Sequence, residues 1–466
     1  MNLNVKLDIQ EIINNLPSKS LQEFDTYLRS NHKNISLRND YDSDLAILTN
    51  NYNKNKKLNK LESECRSIIL DKNTLDIVCY THDDIIFNEN AKSFLLKNDS
   101  MDKKILECYE GTTITVFNYK QKWFFSTRKC IDSKKSKWNS DKSYYDLFLE
   151  CLKMKIDDLT SKLNQNYIYT FVLVHHENQH IIDYSFQFGE NYKEIIHIMT
   201  REQNTFREIE LTDETQWTNS DVNFKRSKEL DDLSILDKYN NIDEISLPLK
   251  SEGVIIKLFD SVSGKSYLLK IQNNTYQFLS MIKPNEHKLV INFVHLYKTD
   301  MLKKHIEFFP TSKNIVFAGD TFETINLIDT VFKVLTSEMF ELFKHFYDFK
   351  SCSHKNSSLY DILPKEYRYI LYQIRGIYFK KKEEFITNNL KNKSTSYVYS
   401  NLRIYDIYNL LKTYEIKNLV RLFNARIAFE NTMLENQANT IIFKSLQKFN
   451  NHISNNLLSK FLQMLQ

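Results

Sequence analysis

Apolar and polar positions alternate through much of the chain between about residues 60 and 285. Alternation over four to eight residues predicts half-buried β-strands. We expect a hairpin from residues 112–119 and 122–127, turning at Lys120 and Gln121. The other predicted strands, in chain order, are residues 67–70, 77–81, 167–174, 181–188, 254–259 and 267–271.

Other segments repeat apolar residues every three to four positions, a spacing that predicts amphipathic helices. One of these segments, 144–163, lies among the strands, and a charged, irregular stretch is expected at about 200–250. The remaining predicted helices are residues 322–349, 366–385, 404–422 and 440–465. The pattern therefore predicts an α+β domain over residues 1–284, followed by an all-helical domain over residues 285–466.

Composition narrows the possible partners. The net charge of the 466 residues is only +4, so any contact with nucleic acid must come from local basic clusters. No apolar run approaches the ~18 residues of a membrane span, and the N-terminus lacks the apolar core of a signal peptide. Six cysteines occur without metal-binding spacing. We expect a cytoplasmic protein with reduced thiols and no membrane partner.

Glycine is scarce, with 6 residues against 27 tyrosines and 31 phenylalanines. Asn, Lys, Ile, Tyr and Phe have A/T-rich codons, which suggests the genome of a giant virus, a parasite or a selfish plasmid. Where glycine is this rare, each one is expected where a Cβ atom cannot be tolerated. Gly111 and Gly253 fall inside the two most informative motifs.

Those motifs form an ordered series. The segments are Glu64-Cys65-Arg66-Ser67, Phe87-Asn88-Glu89, Cys108-Tyr109-Glu110-Gly111-Thr112, Thr127-Arg128-Lys129, Phe171 to Ile182, Glu252-Gly253 with Lys257, Lys270-Ile271-Gln272, and Tyr276. Each alone could be structural: Cys108 to Thr112 could be a strand-to-turn segment, and Glu252-Gly253 a turn before a buried strand. Fewer chance matches are expected for the whole ordered series than for any single segment.

The series resembles the ATP-dependent RNA ligases of the bacteriophage tRNA-repair type, RNA ligase family 1, over about residues 60–280. The resemblance implies a nucleotidyltransferase domain of antiparallel sheets flanked by helices. It implies that Arg66, with Arg128 or Lys129, lies near nucleotide phosphates, and that Glu252 helps to bind metal. The remaining nucleotide-site positions that it implies are Glu110, Gly111, Gly253, Lys257 and Lys270. ATP and magnesium are the implied cofactors if the pocket still functions.

The departures fall on the positions that carry the chemistry. Cys108 stands where this family has its nucleophilic lysine, Val172 replaces a glutamate, and Gln179 replaces an arginine beside Asn178. Gln272 replaces the second lysine of the last motif, and a lysine near Asp84 is missing. Without the lysine, the covalent route to an AMP adduct is lost. Lys104 is expected to lie too far along its strand to take over.

Two basic segments are candidate RNA contacts. The first follows the hairpin and includes Arg128, Lys129, Lys134 and Lys135; the second is a predicted helix with Arg368, Arg375 and Lys380, interleaved with aromatic residues. A solvated charged helix face is the alternative for the second. The cluster His175, His176 and His180 is expected to line the pocket or its rim rather than to bind metal.

These observations favour a catalytically defective ligase-like protein that binds RNA, with tRNA expected from the resemblance. By analogy with killer-yeast linear plasmids, it is a candidate immunity protein that shields tRNA or binds a ribotoxin that cuts the anticodon loop. The alternatives are an active ATP-dependent RNA ligase with an unusual acceptor, and a structural or regulatory subunit. The sequence does not identify the RNA, the toxin or the oligomeric state.

Overall fold

A computed structural model of the protein describes residues 4–51, 58–138, 140–210, 224–239, 247–283, 288–317, 319–347, 360–389, 402–435 and 441–466. The chain divides into two compact units, Met1–Met281 and Ile282–Gln466. Within the described residues, no helix has the length and apolar character needed to cross a membrane.

The first unit combines strands with short helices. Its helices are α1 (Asp8–Asn14), α2 (Leu21–Asn31), α3 (Lys60–Glu64), α4 (Asn88–Lys97), α5 (Tyr144–Cys151), α6 (Ile156–Lys162), α7 (Ser185–Phe188) and α8 (Asn274–Ile282). Its strands are β1 (Ile35–Asn39), β2 (Leu45–Asn50), β3 (Ile68–Asp71), β4 (Ile77–Cys79), β5 (Ile86–Phe87), β6 (Asp102–Glu107), β7 (Thr112–Tyr119), β8 (Lys122–Thr127), β9 (Tyr167–His175), β10 (Lys193–Glu202), β11 (Lys225–Arg226), β12 (Gly253–Phe259) and β13 (Ser266–Gln272).

These strands form three sheets, with orders β1-β2-β3-β4, β11-β10-β9-β7-β8 and β5-β13-β12-β6. The pairings are antiparallel except β10 with β11 and β5 with β13. The predicted hairpin is present as β7 and β8, with Lys120 and Gln121 both at positive φ, as a two-residue hairpin turn requires. Its inner aromatics stack, with Phe117 and Phe124 ring centroids 5.4 Å apart.

The described residues of the second unit form helices and one hairpin, of β14 (Asn314–Phe317) and β15 (Asp320–Glu323). Its helices are α9 (Leu289–Lys298), α10 (Leu302–Phe308), α11 (Thr324–Phe346), α12 (Lys365–Asn389), α13 (Ile404–Thr413), α14 (Ile416–Glu435), α15 (Ile441–Asn450) and α16 (Asn455–Leu465). Buried Arg426 in α14 ties the helices together, because its guanidinium contacts Glu338 at 3.2 Å and Glu430 at 3.1 Å.

The predicted α+β fold with a helical C-terminal part is confirmed. Three helix predictions were too long, because each segment contains a second helix start. Leu152 leaves the helical conformation after α5, and Asp157 and Asp158 then favour a new first turn in α6. Ser454 caps the start of α16 by accepting from the Leu457 N–H, and α13 ends before Tyr414.

The strand predicted at 181–188 is wrong. Asp183 accepts a hydrogen bond from the Ser185 N–H and starts the short helix α7, and Gly189 follows α7 at φ 90°. The strand that pairs with β9 is β10 instead. The irregular stretch predicted at 200–250 begins with the end of β10 and lies partly outside the described residues, at 211–223 and 240–246.

Candidate functional site

Strands β6, β12 and β13 form the floor of the candidate site. Val254, Ile256 and Leu258 of β12 are buried in a hydrophobic core cluster, so the residues between them point to the opposite face of the sheet. Directly paired residues of antiparallel strands share a face. This opposite face, here called the site face, carries Lys104, Leu106, Ile255, Lys257, Leu268 and Lys270.

Cys108 and Glu252 meet at one end of the site face. Cys108 directly follows β6, and Glu252 directly precedes β12. The Cys108 thiol donates to Glu252 Oε2 at 3.2 Å. Glu252 Oε1 accepts from Lys270 Nζ at 2.9 Å and from Gln272 Nε2 at 2.8 Å. Four motif positions that lie far apart in the sequence are therefore joined in one buried network.

Burial decides the ionisation of this network. Burial and the neighbouring Glu252 carboxylate raise the pKa of the Cys108 thiol well above its usual range. Although burial opposes it, the Lys270 ammonium holds the pKa of Glu252 below its usual value. At neutral pH the group thus contains a neutral thiol beside a buried carboxylate–ammonium pair. A neutral, buried thiol is a poor nucleophile.

Glu110 is held at the next position of the same motif. Its Oε2 accepts from the backbone N–H groups of Ile181 at 2.7 Å and Ile182 at 3.0 Å, and its Oε1 accepts from the Tyr276 hydroxyl at 3.0 Å. Burial and the charge of Glu252 raise the pKa of Glu110 to about 7. Tyr276, expected to be a retained scaffold residue, is thus a direct partner of the motif.

The two motif glycines are placed where a side chain would clash, as the sequence predicts. A Cβ at Gly111 would lie 2.4 Å from the Leu173 oxygen and 2.7 Å from Val172 Cγ1. A Cβ at Gly253 would lie 2.1 Å from the Ile271 oxygen, and its φ is 146°. The same expectation is wrong at Gly376, whose added Cβ would meet nothing within 4 Å.

Arg66 and Arg128 form a second cluster around one carboxylate. Arg128 lies 3.1 Å from Asp84 and Arg66 lies 3.7 Å from the same group. Arg128 also donates to Asn50 at 2.8 Å. The Arg66 side chain is only 8 % exposed, and its burial together with Arg128 lowers its pKa to about 10. The two guanidinium groups thus converge on one carboxylate.

The basic residues that follow the hairpin differ in their surroundings. Lys129 and Lys134 are exposed, and within the described chain neither has a carboxylate partner, although Lys134 Nζ lies 4.6 Å from the Tyr145 ring centroid. Lys135 pairs with Asp40 at 2.9 Å and also contacts Asp42. Lys135 is thus charge-compensated, whereas Lys129 and Lys134 are accessible to an anion.

The second predicted RNA-contact segment is part of α12. Arg368 is 3.9 Å from Asp361, and Arg375 lies between the rings of Tyr347 and Phe379 at 5.8 and 5.4 Å from their centroids. Lys380 is exposed. Alongside them, exposed aromatic side chains recur at helical spacing: Tyr369, Tyr372 and Phe379. The three basic residues share one helix with an accessible aromatic stripe.

Lys257 and Lys104 lie opposite each other on the site face, away from Cys108. Lys257 contacts Glu208, and Glu208 also accepts from Ser266 at 2.7 Å. Lys104 contacts Glu210. Lys104 lies four positions before Cys108, about 13 Å along a strand, so Lys104 does not replace the missing lysine.

The metal and nucleotide roles implied by the resemblance can be tested against these contacts. Both oxygens of Glu252 already accept hydrogen bonds within the protein, and no amine stands at position 108. These residues do not fit a covalent nucleotide at position 108 or a metal on Glu252 without rearrangement. Arg66 and Arg128 do fit a non-covalently bound phosphate, because they bring two guanidinium groups to one place.

The histidine cluster is held by contacts within the protein. The ligand atoms of His175, His176 and Glu177 lie within 4.8 Å of one another. However, His175 Nδ1 accepts from the Glu177 N–H, His175 Nε2 lies 3.3 Å from Glu150, and Glu177 pairs with Lys142 at 2.6 Å. The side chains of His175 and Glu177 are thus engaged by other groups of the protein. β9 ends at His175, so His176 and His180 lie beyond the strand.

Several partners in the site were not predicted from the sequence. These partners come from outside the motif positions. Asp84 and Asn50 contact Arg128, and Glu208 contacts Lys257. The Tyr184 hydroxyl accepts from the Glu110 N–H at 2.5 Å. The only sequence signal was Asp84, noted for a missing lysine rather than for its own charge. Val172, in contrast, lies beside Gly111 as the motif order implies.

No protein-family model matches the chain. An "Immediate-early protein ICP-46 homolog" of Invertebrate iridescent virus 6 is 24% identical over 283 residues, 57% of this chain and 58% of that protein. The homologue with the same description from Invertebrate iridescent virus 3 is 36% identical over 78 residues, 16% of this chain and 17% of that protein. The chain therefore matches less than two thirds of the length of either viral relative.

Among solved structures, the chain is similar to ATP-dependent ligases. An ATP-dependent DNA ligase from Aquifex aeolicus has a TM-score of 0.39 and 14% identity, covering 62% of this chain and 72% of its own. An archaeal ATP-dependent RNA ligase has a TM-score of 0.39 and 10% identity, covering 65% and 72%. A Naegleria gruberi RNA ligase has a TM-score of 0.28 and 14% identity, covering 42% and 56%. At these scores the similarity carries no functional conclusion.

Proposed function

We propose that this chain binds RNA through its phosphates without transferring a nucleotide through position 108. The observation that carries the proposal is the convergence of Arg66 and Arg128 on Asp84 in a largely buried position, where Arg66 Nε is buried and has no hydrogen-bond partner among the described residues. Arginine presents a planar set of donors that matches the oxygens of a phosphate. Exposed Lys129, directly after Arg128 in the sequence, supports the same role.

The state of Cys108 argues against covalent transfer of a nucleotide. Its thiol is buried, donates to Glu252 and has a raised pKa. A nucleophile must be deprotonated and accessible to attack a phosphate. Lys270, which contacts the same carboxylate, is held as an ammonium by that pairing, since Glu252 raises the pKa of Lys270 despite burial.

RNA binding is tested by fluorescence anisotropy with a labelled single-stranded RNA. We expect Arg66→Met and Arg128→Met to weaken binding by about tenfold each, because each removes a charged phosphate contact. Lys97→Met is the matched control, since Lys97 is an exposed lysine on α4 outside the cluster. Binding should also weaken steeply between roughly 50 and 200 mM salt. Equal affinity of all variants, or binding that is insensitive to salt, contradicts the proposal.

The alternative, an active ligase with an unusual acceptor, is tested by incubation with α-labelled ATP and magnesium. We expect no covalent AMP adduct. An adduct that disappears in Cys108→Ala or Lys270→Met would overturn the proposal that no nucleotide is transferred. RNA binding would still be decided by the anisotropy measurements.

The finer proposal is that the RNA is tRNA and that binding gives immunity against an anticodon nuclease, either by shielding the tRNA or by binding the toxin. It is supported by the motif resemblance and by the basic, aromatic face of α12 around Arg368 and Lys380. Co-expression with an anticodon nuclease tests it: survival lost in Arg66→Met supports shielding, and unchanged cell death rejects immunity.

A further inference from the structure

A groove of about 670 Å³ lies between α2 and β1, far in sequence from the motif series. Four of its lining residues come from successive turns of α2, and the others come from β1 and the residues after it. The lining comprises Leu21, Gln22, Asp25, Arg29, Leu37, Arg38, Asn39 and Tyr41. Nothing in the RNA-binding proposal uses this groove.

The strand along this groove is a sheet edge. β1 is the outer strand of the sheet β1-β2-β3-β4, and in the described chain it pairs only with β2. The Asp40 N–H donates to the Leu45 oxygen, and the Asn51 N–H donates to the Asn34 oxygen. Because hydrogen-bonded pairs alternate along an antiparallel ladder, the even-numbered residues of β1 bond to β2.

The odd-numbered residues of β1 consequently turn their backbone groups away from β2. The N–H and C=O of Leu37 and Asn39 point outward from the sheet. An edge of this kind accepts another strand by main-chain hydrogen bonds. A groove bounded by an edge strand on one side and a helix on the other has the shape that receives an extended peptide.

The charges of the groove select the peptide. Arg38 is exposed and has no carboxylate partner among the described residues, while Arg29 pairs with Asp25 at 2.8 Å and remains 76% exposed. Two arginines against one aspartate leave a positive surplus that attracts carboxylates. Tyr41, 94% exposed, offers an aromatic surface at the end of β1.

We propose that this groove binds an acidic peptide in extended conformation, which adds a strand to β1 and places its carboxylates on Arg38 and Arg29. A nucleic acid would meet the arginines but not the outward N–H and C=O groups, whose alternating pattern only a peptide backbone matches. A protein partner with an acidic, extended segment is therefore favoured over RNA at this site.

The test starts with a phage-displayed library of random peptides of about nine residues, selected on the full chain. We expect acid-rich sequences without internal proline to be enriched. One enriched peptide, made synthetically with a fluorescein label, then serves as the probe in fluorescence anisotropy. A selection that recovers no acid-rich sequence contradicts the proposal.

Two pairs of matched variants locate the binding site. Asn39→Pro removes an outward N–H without touching the ladder to β2, whereas Asn39→Ala keeps this N–H. Arg38→Glu reverses a charge in the groove, whereas Lys33→Glu makes the same change at an exposed residue outside the lining. We expect Asn39→Pro and Arg38→Glu to weaken binding of the probe peptide by about tenfold. The two control variants should bind the probe within about twofold of the wild-type affinity.

Thermal unfolding of each variant confirms that the fold is kept. Affinity that falls equally in Asn39→Pro and Asn39→Ala would show that the backbone donor is not used and would overturn strand addition. Oligo(U) RNA that binds with the same Arg38→Glu sensitivity, and displaces the peptide, would assign the groove to nucleic acid and overturn the choice of a peptide.

Discussion

At the scale of single residues, the site shows how burial separates two carboxylates of the same network. Glu252 is paired with Lys270 and stays ionised, whereas Glu110 is hydrogen-bonded to backbone donors and Tyr276 and has no cation partner in the described part of the chain. Its burial and the charge of Glu252 raise its pKa to about 7. Glu110 therefore changes charge near physiological pH.

This difference predicts a pH dependence of stability. The folded-state pKa of Glu110 lies above its unfolded value near 4.5, so its contribution to stability is fully present at low pH and is lost as pH rises from about 4.5 to about 7. Relative to Glu110→Gln, which stays neutral, the wild type should lose about 2 to 3 kcal/mol over this range. Urea unfolding of both proteins between pH 4.5 and 8 measures this change. A stability gap that stays constant with pH would contradict the prediction.

At the scale of secondary-structure elements, two glycines give opposite expectations. Gly253 starts β12 at φ 146° with no room for a Cβ, so Gly253→Ala should destabilise the fold by at least about 2 kcal/mol through clash and backbone strain. Gly376 lies in the middle of α12 with open space around it. Gly376→Ala should stabilise the protein by about 0.5 to 1 kcal/mol, because alanine is the better helix former.

Differential scanning calorimetry of the two variants checks the sign of each change. The two substitutions add the same methyl group, so composition cannot explain opposite results. A Gly253→Ala protein as stable as the wild type would show that the close approach of β12 and β13 is not maintained in solution.

Elements were predicted well where the signal is local. The hairpin β7–β8 was found because alternation and turn position lie within sixteen neighbouring residues. The strand at 181–188 was wrong because its apolar spacing also suits a turn and a short helix, and Asp183 and Gly189 decide between them. The long helices were predicted in place but not their breaks, which depend on caps such as Ser454.

The candidate site was predicted in its residues but not in its connections. Motif order gives Cys108, Glu252 and Lys270, yet their meeting depends on the register of β6, β12 and β13. That register includes the pairing of β6 with β12, which places Glu107 opposite Val254, and no local pattern reports a pairing so distant in the sequence. Asp84 was missed as an arginine partner for the same reason.

At the scale of the whole molecule, the buried apolar residues fall into separate sets. One cluster runs from Val290 to Leu465, and the other clusters draw their buried residues from Val5 to Ile271. A hydrophobic core of its own is what allows a part of a chain to fold independently.

We therefore expect a fragment of residues 1–283 to fold without the rest of the chain. It should show a cooperative urea transition and a near-ultraviolet circular dichroism spectrum with ordered tyrosine signals. A fragment of the second unit, residues 282–466, is the control, and it should be helical and cooperative as well. A first fragment that binds a hydrophobic dye and unfolds gradually would contradict this prediction.

The position of Asp84 has a consequence for selectivity. A carboxylate between two guanidinium groups competes with an incoming anion for the same donors. A phosphodiester in the middle of a strand is a monoanion and brings only the same charge as that carboxylate. A terminal phosphate near its second ionisation brings almost twice the charge. In the proposed function, the aspartate thus acts as a filter that favours strand ends over continuous backbone.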